Sequence, residues 1–146
     1  MPHWLTLLFA PPETPLSPLA RYTQANGLFY IATGAVFYLA PGLLSFVPGM
    51  APFVGFEEGM MRALGMVVVF IGWFYFIGGR TNSERFGLAT VLDRLLVPVF
   101  LLPLVLTGQL QAPLGLTFCV LDPVLGLGAY WIWAKQGKAA PEGSAR

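Results

Sequence analysis

Few side chains in this sequence could do chemistry. Asp122 stands in the apolar run LTFCVLDPVLGLGAYW, eight residues after Leu114 and eleven before Trp133. A carboxylate there can hold a polar group, exchange a proton or stabilise a bend, because a charge in an apolar span is costly unless partnered. Pro123 follows it, withdrawing a helix hydrogen bond and disfavouring α geometry at Asp122. The sequence therefore predicts a kinked helix, or a break with Asp122 capping a second half-helix. Glu58 precedes Arg62 by four residues, the favourable order for an ion pair on one helix face. Arg94, beside Asp93, opens another apolar run.

Asp122, Arg62, Glu58 and Arg94 are thus the candidate ligand-binding or coupling residues, and no catalytic set is assigned. Each also has a plainer reading. Packing or kink stabilisation suffices for Asp122, a salt bridge holding a loop for Glu58 and Arg62, and snorkelling to an interface for Arg94. With one histidine, His3, and one cysteine, Cys119, paired-histidine haem ligation, HExxH-type metal sites and an intramolecular disulfide are excluded. No cofactor or metal is expected. A net charge of +1 offers no basic patch for nucleic acid.

The elements that must position these residues follow from composition. Only 10% of the 146 residues are charged and 56% are hydrophobic, against about 25% charged in a soluble domain. Mean hydropathy is +0.70. The expected fold is all-α, an integral membrane four-helix bundle whose main surroundings are the lipid bilayer. Four windows approach the roughly 20 apolar residues that a span needs: about 27–47, 60–79, 91–110 and 114–133, within a domain covering 27–134. Ser17 and Pro18 suit a helix start. Gly78-Gly79-Arg80 reads as a stop, and Thr81-x-x-Glu84 as a capping box. Pro41 should shorten the first span, and Pro98 and Pro103 should bend the third. Residues 1–26 are expected to form an interfacial segment anchored by Trp4 and carrying a Pro-rich run, and 135–146 a disordered tail.

Orientation follows from the cations. Arg21, Arg80, Arg85, Arg94, Lys135, Lys138 and Arg146 fall on one side and Arg62 on the other. That asymmetry puts both termini in the cytoplasm and supports an even number of spans.

Small residues mark the helix faces. Gly65, Gly72 and Gly79 recur every seven residues in the second span, and Gly27 and Gly34 share a face of the first, next to one carrying Asn26, Tyr30 and Thr33. In the fourth, Gly115, Cys119, Asp122, Gly126 and Ala129 form one stripe, which directs Asp122 into the bundle. Gly65, Gly72 and Gly126 could also seat a protein partner or a second copy of the chain.

From Glu58 to Trp133 the pattern E-x-x-x-R-x-x-G (Glu58, Arg62, Gly65) is followed by a glycine-bearing span, an arginine-containing loop, Arg94, Gly108 and Asp122. It resembles small uncharacterised four-helix proteins of the bacterial inner membrane, distantly of the DoxX type. The resemblance implies four-helix topology and location in that membrane, and little about mechanism. The leading functional expectation is an accessory or subunit protein that packs with a partner complex or binds a lipid-like ligand among its helices. A small dimeric proton-coupled transporter using Asp122 and an intramembrane enzyme acting on a lipid-like substrate are the alternatives.

Overall fold

In the computed structural model, which describes residues 3, 9–12 and 14–139, every regular element is helical. The interfacial foot around Trp4 and the tail from residue 140 lie outside the described residues. Helix α1 covers Pro18–Leu39, and a 3₁₀ segment, Pro41–Phe46, follows it. Helices α2 (Phe56–Arg80), α3 (Glu84–Leu106) and α4 (Ala112–Ala139) come next. Three helices are long and apolar enough to cross a membrane, over Phe56–Arg80, Glu84–Leu106 and Ala112–Gln136. Large apolar side chains cover the outside, among them Phe74, Phe100 and Leu106, each more than 60% exposed. Such a surface suits lipid rather than water, and this is a multi-pass membrane protein.

Local chemistry sets the helix ends. The Ser17 hydroxyl accepts from the Ala20 amide at 3.1 Å, with Pro18 in the first turn. At the other end, Pro41 disfavours α geometry at the residue before it, and Ala40 takes φ −141°. The apolar window 27–47 is therefore divided between the end of α1 and the 3₁₀ segment.

Helix α2 ends at Arg80, where Gly78-Gly79-Arg80 marks the stop, and the chain turns at Asn82 in a left-handed conformation, φ +53°. Thr81, expected to open a capping box, does not cap α3. Its hydroxyl donates to the Gly78 carbonyl, and Ser83 caps α3 by accepting from the Phe86 amide. Pro98 and Pro103 lie within α3, and α4 runs unbroken through Pro123, so Asp122 caps no half-helix. Residues 135–139, expected in a disordered tail, are the last turn of α4.

Glycine geometry holds the first helical pair together. A Cβ on Gly27 would come within 2.7 Å of the Gly72 carbonyl, and one on Gly34 within 2.5 Å of the Gly65 carbonyl. Gly79 meets the Ala20 carbonyl in the same antiparallel register. Backbones this close exclude any side chain between them. Gly65 and Gly72 are consumed by this contact within the chain and present no face to a partner. Helices α3 and α4 form the second pair, and α4 also packs across α1, where the Tyr22 hydroxyl donates to the Leu125 carbonyl at 3.2 Å.

Gly72→Leu should destabilise the protein by at least about 1–3 kcal/mol through overpacking. Gly59→Ala, where an added Cβ meets nothing within 4 Å, should be neutral or stabilising by up to about 1 kcal/mol. Thermal unfolding followed by circular dichroism in one detergent compares the two, and equal midpoints would contradict the glycine contact.

Candidate functional site

All four helices line a cavity of about 650 Å³, within the range of small-molecule sites. Its walls are mostly apolar: Val68 from α2, Leu101 and Leu104 from α3, and Leu114 and Phe118 from α4. At one end each helix supplies a polar group, namely Tyr30 from α1, Tyr75 from α2, Asp93 and Arg94 from α3, and Asp122 from α4. Asp122 and Leu114 are eight residues apart on α4, so the apolar part rises about 12 Å above the polar end at 1.5 Å per residue.

The glycine register explains why two tyrosines meet there. Tyr30 follows Gly27 and Tyr75 follows Gly72 by three residues each, and because the helices are antiparallel these offsets run in opposite directions. The Cα atoms are thus separated by about six residues along the axis, roughly 9 Å. Helical side chains lean toward their own N-terminus, so both rings lean into that gap. Their centroids are 5.6 Å apart, edge to face.

Arg94 occupies the centre. Only 1% of its surface is exposed, and its guanidinium lies 4.7 Å from the Tyr75 ring centroid and 5.7 Å from that of Tyr30. Nη1 donates to the Leu125 carbonyl at 3.4 Å, while Nε and Nη2 are buried without a hydrogen-bond partner. Gly126 gives the side chain its seat, since a Cβ there would press on the Arg94 Cβ at 3.3 Å and the Val91 carbonyl at 3.4 Å. That glycine too is used within the chain.

Neither carboxylate forms an ion pair with the arginine. Tyr30 donates its hydroxyl to Asp122, which is 4% exposed, and Tyr75 donates to the exposed Asp93. Among the described residues the ion pair is Glu58 with Arg62, at 2.7 Å.

The four candidate residues therefore separate into two places. Asp122 and Arg94 share the cavity. Glu58 and Arg62 lie at the far end of α1, both about two-fifths exposed, where Arg62 also donates to the Tyr38 carbonyl. A cation at a helix C-terminus satisfies its last carbonyls, so this pair ties α2 to the end of α1, and Arg62 does not meet Asp122. Snorkelling fails to describe Arg94, which points inward instead. Tyr75 is absent from the sequence-derived candidates. Its signal was its place three residues after Gly72 on the glycine face.

No three of the histidine, cysteine, aspartate and glutamate side chains among the described residues gather as metal ligands would. The site combines an apolar cavity, a hydrogen-bonded carboxyl group and a buried cation.

Tyr30→Phe removes the donor from a buried carboxylate and should cost about 1–3 kcal/mol of stability. Asp122→Asn keeps an acceptor for the Tyr30 hydroxyl and should cost less. Unfolding midpoints of the two variants in one detergent test this order, and a Tyr30→Phe variant as stable as wild type would show the hydrogen bond to be dispensable.

The chain matches no protein-family model, and no curated protein or solved structure is significantly similar to it.

Proposed function

We propose that this protein is a four-span component of the bacterial inner membrane, with both termini cytoplasmic, that binds a lipid-like molecule among its helices and acts as an accessory or subunit protein. One observation carries the ligand: an apolar cavity whose polar groups are gathered at one end. An amphiphile has the same division. Four spans are supported by α1, whose 22 residues give about 33 Å of helix, enough for a hydrocarbon core of about 30 Å. It is also held against α2 by three glycine contacts. Orientation is supported by the gathering of Arg21, Arg80, Arg85 and Lys135 at the end where α1 begins and α4 finishes, with Arg62 at the other. The DoxX-type resemblance implies the same topology.

A proton-coupled dimeric transporter is the second reading, favoured by Asp122 lining the cavity with a tyrosine hydroxyl on it. The intramembrane-enzyme reading gains nothing from the geometry, since Arg62 stands away from Asp122 and is engaged with Glu58 and Tyr38.

Native mass spectrometry of the protein extracted in mild detergent should reveal a retained lipid-like species. Leu101→Trp, which fills the cavity, should lose it while helix content stays constant. Wild-type protein without any such species would sink the ligand reading. For topology, a cysteine at Gln109 in a Cys119→Ala background should react with a membrane-impermeant maleimide in spheroplasts, and one at Thr81 only after lysis. The reverse pattern would invert the orientation.

A further inference from the structure

Arg94 narrows the ligand's chemistry, an inference that rests on the cavity being a lipid-like molecule's site. A guanidinium presents Nε and Nη2 along one edge, as a fork matching two oxygens of one group. These are the two nitrogens left without partners, Nη1 being engaged with the Leu125 carbonyl. The side chain belongs to the cavity wall and is almost wholly buried. The carboxylates in the same wall are turned to Tyr30 and Tyr75, so the positive charge has no ion-pair partner among the described residues.

Two oxygens on one atom mean a carboxylate or a phosphate. A phosphate monoester carries between one and two negative charges near neutral pH, and Asp93 and Asp122 would repel it more than a singly charged head. The route in is also visible. Helices α2 and α3 touch close to the connecting turn, with Phe86 against Gly78 and Tyr75, and Tyr75 on Asp93. Farther from the turn, the cavity-lining residues Leu64 and Ile71 of α2 and Leu96 and Phe100 of α3 are exposed. That side opens onto whatever surrounds the helices.

We propose that the ligand is a single-chain amphiphile with a carboxylate head, of the long-chain fatty acid class. It enters sideways between α2 and α3 and seats its head on the Nε–Nη2 edge of Arg94. Its chain lies along Leu101, Leu104 and Phe118. The head reaches the fork as the guanidinium lifts from the Tyr75 ring.

The test uses delipidated full-length protein and four probes of equal chain length: palmitate, hexadecanol, hexadecyl phosphate and hexadecylamine. Palmitate should bind about tenfold more tightly than hexadecanol, the scale of a charge-assisted hydrogen bond. Arg94→Gln should erase the difference between palmitate and hexadecanol. Arg94→Lys keeps the charge without the fork and should retain an intermediate preference, which carries the test if the glutamine variant does not fold. Equal binding of palmitate and hexadecanol would overturn the carboxylate assignment and leave the lipid-binding reading standing. Tighter binding of hexadecyl phosphate or hexadecylamine than of palmitate would overturn it too, by naming a different head. Failure of all four chains to bind would remove the lipid-binding reading itself.

Discussion

A buried guanidinium among apolar helices must be compensated by its surroundings, and in this protein that requirement engages every helix. Placing an arginine at the centre of a membrane helix costs about 3 kcal/mol on insertion scales. The Tyr75 face, 4.7 Å from the Arg94 guanidinium, returns roughly 2 kcal/mol when the pair is desolvated. Tyr30 of α1 adds a more distant ring, and the Leu125 carbonyl of α4 adds one long hydrogen bond. One side chain of α3 thereby depends on the positions of the other three helices. The compensation is partial, because two nitrogens stay without acceptors.

The tyrosines that flank Arg94 are in place because α1 and α2 meet backbone to backbone. Gly27 against Gly72 and Gly34 against Gly65 fix both the depth and the rotation of that pair. A slip of one residue would turn the glycines aside and carry Tyr30 and Tyr75 off the shared face, at about 100° per residue. Packing and site are thus one constraint: what brings the backbones together also aims the rings.

The cavity has the opposite cause. Tight pairing within α1–α2 and within α3–α4 leaves the junction of α2 and α3 to a few contacts beside their turn. Bulky residues farther along, Leu64 on one side and Phe100 on the other, line the space and remain exposed. The space opens to the surroundings on that side, and a chain of methylenes lying in it would gain dispersion contacts with its apolar walls.

Composition and periodicity alone determined that the chain is helical and belongs in lipid, because scarce charge and long apolar runs are properties of the sequence itself. They also brought out the glycine stripes, the Glu58–Arg62 pair and Asp122 as a residue needing a partner, since each rests on spacing within one helix. The helix ends were legible only in part. Thr81, Ser83 and Asn82 all offer caps, and backbone conformation chose among them. Only the tertiary structure decided which stripe meets which. It turned Arg94 inward, sent Arg62 to the end of α1 and gave Asp122 to Tyr30. Those outcomes depend on the register between helices, and a register is a property of two segments at once.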